Sequence, residues 1–285
     1  MIKKYTPYII VFYVLAVVAM AVGSFCDLQI DIALNDPENA FAIWFRNTGE
    51  IPARLVLPLA GTVLFYTALH KWSKFVSAVV CLGGSAYLGY YLGKYFFIDD
   101  DNRLIFSIIF GVGIGIVFML IGSQVKLSKK VFGALKVLAI VGIVVMCLEL
   151  GIVEILKHFW GRVRFRDLLS AGSYDEFTNW FVVNGATGDK SFPSGHTASA
   201  AVSYLLMLIP FVKNKYGAKK YTSVLFFVPL FYTSVVAFTR LVMGAHYLTD
   251  VTVGGIITFT LVVISIALLD SEKCGKKISN AIMKL

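Results

Sequence analysis

Apolar runs of about twenty residues alternate with short polar segments along this chain, a rhythm that predicts helices able to cross about 30 Å of hydrocarbon. Eight spans are expected, at about 7–25, 51–69, 75–97, 104–125, 131–156, 194–212, 222–239 and 247–269. The expected fold is all-α, a polytopic transmembrane helix bundle forming one integral membrane domain over residues 1–285. Residues 131–270 hold the chemically informative polar clusters, and residues 1–70 add extra N-terminal spans.

The linkers alternate in charge. Lys3-Lys4, His70 to Lys74, Lys126 to Lys130, Lys213 to Lys220 and the tail with Lys273, Lys276 and Lys277 are basic. Between them lie Asp27 to Glu50, with five acids against one Arg, and Asp99-Asp100-Asp101. Basic loops stay on the cytoplasmic side, so both termini are expected there in a multi-pass cell-membrane protein. Met1-Ile2-Lys3-Lys4 before an apolar run has the look of a signal peptide, with Ala19-Met20-Ala21 as a loose cleavage site. An uncleaved first span is the reading adopted, because many spans follow.

Composition agrees. The chain is 58% hydrophobic and 15% charged, too poor in charge for a soluble domain of this length. A net charge of +9 would raise nucleic acid as a partner, but the Lys and Arg sit mostly in linkers and the tail, where they touch anionic lipid head groups. Cys26, Cys81, Cys147 and Cys274 are scattered and form neither a disulfide framework nor a metal-ligand spacing. Gly89-x3-Gly93 and Gly111-x3-Gly115 lie within spans and read as close helix packing. The four tryptophans fall in linkers or at span ends, as an interfacial belt requires.

Three polar clusters break the apolar pattern, all on the outer side by the loop-charge count. Lys157 and Arg164 are seven residues apart; on a fifth helix continued past the membrane, both side chains would project from one face. Alone, they read as cations snorkelling at a helix end. Together with a bound anion, they offer a point charge and a bidentate fork.

Pro193-Ser194-Gly195-His196 opens the sixth span and would leave several backbone N–H groups free for an anion. An ordinary Ser cap explains Ser194 equally well but leaves His196 at the boundary without a task. Arg240 ends the seventh span, and His246 and Asp250 stand one helical turn apart at the start of the eighth. A carboxylate there could hold one ring nitrogen and leave the other free as a nucleophile. A structural His–Asp bond is the plainer account of that pair taken alone.

Jointly, Lys157-x6-Arg164, Pro193-Ser194-Gly195-His196 and Arg240-x5-His246-x3-Asp250 resemble the motifs of the type 2 phosphatidic acid phosphatase (PAP2) superfamily, relatives of glucose-6-phosphatase and the vanadium haloperoxidases. The likeness covers roughly residues 150–255. Phe165 stands where the family pattern has proline, and Thr239 where it has serine. The family core has six spans, so two extra spans upstream keep the site on the same face.

The resemblance implies that His246 attacks phosphorus to form a phosphohistidine, with Asp250 orienting it. His196 would protonate the leaving oxygen and then activate water. Lys157, Arg164, Arg240, Ser194 and the backbone at Gly195 would hold the phosphate oxygens. No metal or other cofactor is implied, because three cations already supply the charge. The expected substrate is a lipid phosphate or diphosphate, such as phosphatidic acid, phosphatidylglycerol phosphate or a polyprenyl diphosphate. Transfer to a lipid or sugar acceptor, hydrolysis of a soluble sugar phosphate and a non-enzymatic lipid carrier are the alternatives.

Arg162 and Arg166 read as cations facing lipid phosphates. Glu154 reads as an ion-pair partner of Lys157, and Glu149 as an intramembrane acid without an assigned role. Asp99-Asp100-Asp101 read as solvated, and His70 and His158 match no motif position.

Overall fold

The computed structural model describes residues 2–96, 102–212 and 218–283, and among these every regular element is helical. Asp99-Asp100-Asp101 and most of the Lys213 to Lys220 linker lie outside the described residues. The order is α1 (Ile2–Leu34), α2 (Ala40–Thr48), α3 (Ile51–Thr67), α4 (Lys71–Phe96), α5 (Arg103–Gln124), α6 (Lys129–Trp160), α7 (Phe165–Ala171), α8 (Gly195–Ala201), a 3-10 segment (Val202–Leu208), α9 (Ile209–Val212), α10 (Ala218–Val242), α11 (Leu248–Asp270) and α12 (Glu272–Met283).

Seven of the described helical stretches are long and apolar enough to cross a membrane. The eighth expected span, α3, has 17 residues, the short end of what a bilayer core requires. The sixth expected span is a composite in which α8, the 3-10 segment and α9 follow one helical path.

Helix α1 differs most from expectation. It runs 33 residues to Leu34 rather than stopping near residue 25, so Asp27 and Asp31 lie on a helix and are buried, not in a solvated loop. Tertiary pairing explains the extension: Asp27 meets Arg162 and Thr249, so the chain need not reach water to satisfy its charge. Nor is α1 an appendage. Phe12 stacks on Phe259 of α11 with ring centroids 3.8 Å apart, and both pack with Tyr204 and Phe226 in the main core.

Helices α3, α4 and α5 form an antiparallel layer laid on α6. Arg54 meets Tyr87 and Thr62 meets Cys81, which sets α3 against α4 in opposite directions. Gly89 of α4 and Gly111 of α5 cross almost backbone to backbone, since a Cβ at Gly89 would lie 2.5 Å from the Gly111 Cα. This is the close packing their spacing predicts.

At one end of the bundle α1 begins and α11 finishes, where the Ile2 amide donates to Asp270 at 2.9 Å. The opposite end gathers the final turns of α1, α6 and α10 and the first turns of α3, α8 and α11. The three polar clusters meet there.

Candidate functional site

Helix α6 does not carry both cations of the first cluster, contrary to the single-face expectation. It ends at Trp160, and Gly161 turns the chain with φ +55, a left-handed conformation in which a side chain is strained. A Cβ there would also meet the Gly185 carbonyl at 2.2 Å. Arg164 follows in extended backbone as the N-cap of α7. The turn nonetheless brings Lys157 and Arg164 to the wall of one cavity.

The loop after α7 is pinned rather than loose. Trp180 Nε1 donates to Ser24 at 2.8 Å, Trp160 Nε1 donates to the Trp180 carbonyl, and Trp160 stacks on Phe192. These two tryptophans fasten the loop to the bundle, while Trp44 and Trp72 are exposed.

The cavity has a volume of about 370 Å3. Lys157, Arg164, Gly195, His196, Arg240 and His246 line it, together with Arg46, Arg54, Lys94, Arg166, Glu50, Glu149 and Glu154. Seven cationic side chains against three carboxylates suit an anion. Lys157 Nζ lies close over the start of α8, 3.0 Å from where a Cβ of Gly195 would be.

His246 lies between α10 and α11 and is 4% exposed. Its Nδ1 is 2.6 Å from the Ser191 carbonyl, which can only accept, so Nδ1 carries the proton and Nε2 the lone pair. Burial, followed by the charges of Lys157, Arg164, His196 and Arg240, holds this ring well below the usual histidine range and keeps it uncharged.

Asp250 does not bond His246 directly as expected. Its Oδ2 lies 3.9 Å from Nδ1, beyond hydrogen-bond length. That oxygen accepts from Ser191 Oγ at 2.6 Å and from the Tyr247 amide at 3.0 Å, while Oδ1 accepts from Arg162 at 2.6 Å. Ser191 is therefore the intermediary, its carbonyl on His246 and its hydroxyl on Asp250.

Arg162, expected to face lipid, is fully buried. It donates to Asp27, Asp250, Thr249 and the Thr178 carbonyl, and its guanidinium lies 4.1 Å from the Tyr247 ring centroid. Arg166, paired with it in the sequence reading, does border the cavity.

Ser194, expected to hold a phosphate oxygen, caps α8 and does not itself line the cavity. It is fully buried, its hydroxyl lies 3.1 Å from Thr197 Oγ1 and accepts from the Thr197 amide, and its own amide donates to the Asp250 carbonyl. The hydroxyl thus caps α8 as an acceptor. Of the two positions that depart from the family pattern, Thr239 bonds its own helix at Val236 and Phe165 is buried against Leu168 and Tyr247. Neither lines the cavity.

Arg240 is 2% exposed and donates to the Ala42 carbonyl at 3.3 Å, leaving its Nε without a partner among the described residues. His196 Nδ1 lies 3.2 Å from Glu50 Oε1, and its Nε2 closes no hydrogen bond with any described residue. Burial pushes the Glu50 carboxyl up, but the charges of His196, Arg54 and Lys157 outweigh it and hold it below the usual range.

Sequence reasoning missed Glu50, Arg54 and Ser191, and placed Arg162 wrongly. Glu50 and Arg54 are a local pair four residues apart, but what gives Glu50, Ser191 and Arg162 their places at the site is a partner across the bundle. Glu149 did carry a signal, as an acid inside an apolar span. It is fully buried on the cavity wall, with Ser199 Oγ 3.5 Å away.

Among the described residues no group of His, Cys, Asp and Glu is arranged to hold a metal ion. No curated protein and no solved structure matches the chain. The family model of the PAP2 superfamily matches residues 135–273. That segment contains both histidines and the Lys157, Arg164 and Arg240 cations, and over it the chain is similar to the PAP2 superfamily.

Proposed function

We propose that this integral membrane protein hydrolyses a lipid phosphate monoester or diphosphate through a phosphohistidine on His246. The observation that carries the reading is the neutral His246 ring, tied at Nδ1 to the Ser191 carbonyl, in a cation-lined cavity that also holds His196. The superfamily is one of phosphatases and phosphotransferases acting on lipid phosphates.

His246 Nε2 forms a bond to phosphorus as the bond to the leaving oxygen breaks. His196, entering as the imidazolium, gives that oxygen a proton. Neutral His196 then takes a proton from water, whose oxygen attacks phosphorus and breaks the N–P bond. Phosphate leaves, and both rings return to their starting states. Lys157, Arg164 and Arg240 stabilise charge on the non-bridging oxygens, each as a cation fixed before the substrate arrives. Asp250 acts on His246 through Ser191.

An apolar cavity of about 700 Å3 between α2, α3, the 3-10 segment and α10 supports a lipid over a soluble substrate. Thr48 and Ile51 in its wall bracket Glu50 of the phosphate cavity, so an acyl or prenyl tail could lie there while its head group meets the histidines. The site faces the extracytoplasmic side, as the loop charges predict.

The test is phosphate release by purified protein from a panel of lipid phosphates, with chelator present, beside His246→Ala. Release from at least one lipid, abolished by the substitution, is expected. Activity surviving in His246→Ala overturns the phosphohistidine. Label moving to a second lipid without phosphate release marks a transferase, and binding without turnover marks a carrier.

A further inference from the structure

If His196 gives and takes a proton, its ring must be aimed as closely as that of His246. What aims it lies outside the matched segment. His196 Nδ1 is 3.2 Å from Glu50 Oε1, and Glu50, at 8% exposed, is no surface acid.

Both oxygens of this carboxylate are engaged. Oε2 accepts from Arg54 Nη2, one turn into α3, and Oε1 faces the imidazole. Arg54 is held in turn, donating Nη1 to the Tyr87 hydroxyl at 2.7 Å and lying 4.6 and 5.3 Å from the ring centroids of Tyr87 and Tyr91 on α4. The turn bearing Glu50 is pinned from α10, whose Tyr232 hydroxyl lies 3.3 and 3.2 Å from the Thr48 and Gly49 carbonyls. A carboxylate built in on two sides does more than a helix-surface ion pair.

We infer that Glu50, held by Arg54, is the positioning residue of His196. It keeps the proton on Nδ1, turns Nε2 to the reacting oxygen and stabilises the imidazolium that protonates the leaving group. The inference rests on the proposed role of His196 in proton transfer. Glu50 takes no proton itself: Nδ1–H stays with the ring while the Nε2 proton moves to the leaving oxygen. The upstream helices thus supply His196 with the carboxylate that Asp250, through Ser191, supplies to His246.

The other groups near His196 are Arg240 on α10, Lys157 on α6, His246 and the Arg46 backbone on α2. Lys157 and Arg240 are cationic and oppose an imidazolium, whereas the Arg46 backbone favours one. Glu149 and Glu154 also border the cavity, but among the charges that act most strongly on His196, Glu50 is the one of favourable sign. Its removal should therefore be felt at high pH, where the rate depends on His196 remaining protonated.

The experiment compares wild type, Glu50→Gln and Glu50→Asp on the best lipid phosphate across pH. Each protein is also examined by proton NMR of the downfield imidazole N–H signals, assigned with His196→Asn and His246→Asn. For Glu50→Gln, kcat should fall about 100-fold with KM nearly unchanged. Its alkaline limb should move down by about one pH unit or more. Glu50→Asp, which keeps the charge one methylene shorter, should return the limb to its wild-type position and recover part of kcat. The His196 Nδ1 proton signal should move upfield in Glu50→Gln while that of His246 stays.

A Glu50→Gln protein with the wild-type limb and an unmoved His196 signal overturns the inference. If wild type releases no phosphate from any lipid, or His246→Ala keeps full activity, it is the phosphatase reading that fails. The NMR arm still decides whether Glu50 fixes the His196 ring, because it needs no turnover.

Discussion

Arg162 Nη1 lies 2.6 Å from Asp250 Oδ1, and neither residue exposes any of its side chain. The same guanidinium reaches Asp27 of α1 at 3.0 Å, so one cation ties the first helix of the chain to the start of α11. Arg162 also receives the Ser191 amide on its carbonyl, which holds the strand of chain that touches His246.

Breaking this junction should be costly. Arg162→Met leaves two buried carboxylates without their cation, and loss of about 3–5 kcal/mol is expected. Arg162→Lys should rescue little, because one ammonium cannot make a planar fork to Asp27, Asp250 and Thr178 at once. Thermal unfolding in detergent reads both, and a Lys variant of wild-type stability would contradict the account.

Asp250→Asn should lower kcat by about 10- to 100-fold, the scale of a residue acting through an intermediary, and less than the loss in His246→Ala. Ser191→Ala keeps the carbonyl that accepts the hydrogen bond from His246 Nδ1–H and removes only the hydroxyl that donates to Asp250. It should therefore be milder than Asp250→Asn. Steady-state rates of the three variants, with KM measured alongside, rank them; equal losses in Asp250→Asn and His246→Ala would point to a direct His–Asp contact during turnover.

The pH profile of kcat/KM should be bell-shaped, with an acid limb below the ordinary histidine value of about 6.5. The sign follows from His246: burial and the four neighbouring cationic or ionisable groups disfavour its charged form in the folded protein. Between its folded value and about 6.5 the unfolded chain binds more protons at this residue, so its contribution makes stability fall as pH drops through that window. Unfolding midpoints measured from pH 7 to pH 5 should fall less steeply in His246→Asn than in wild type.

Gly161→Ala should destabilise the fold by more than about 1–2 kcal/mol, since left-handed backbone and a 2.2 Å clash with the Gly185 carbonyl act together. The same variant should raise KM, because Arg164 reaches the cavity only through this turn. Gly151→Ala is the control: it lies inside α6 with nothing within 4 Å of its Cβ, and helix propensity favours the change by about 0.5–1 kcal/mol. Matched unfolding curves of the two variants decide it.

Much of the site was legible because its signals are local. His196 follows Pro193, Ser194 and Gly195 at a span start, and His246 and Asp250 lie one turn apart. Ser194 shows the limit, since the residue types that bind an anion also cap a helix, and only the tertiary structure shows that Thr197 is capped here. Asp27 and Arg162 were misplaced for a related reason. A charged residue beyond an apolar run reads as solvated until a partner 135 positions away removes the need for water.

By itself, the sequence determined the helices and their order: apolar runs of membrane-spanning length impose helix, because backbone polar groups in hydrocarbon must bond within their own segment. It also determined which residue types could do phosphoryl chemistry and at which span ends they sit. Tertiary structure alone decided which of those charges face the cavity and which pair with one another. It turned Arg162 and Ser194 inward, put Ser191 between Asp250 and His246, and brought Glu50 from the α2–α3 turn to His196. Helix formation is a matter of neighbours in the chain, whereas the partner of a buried charge is set by whichever group of opposite sign the packing brings within about 3–4 Å.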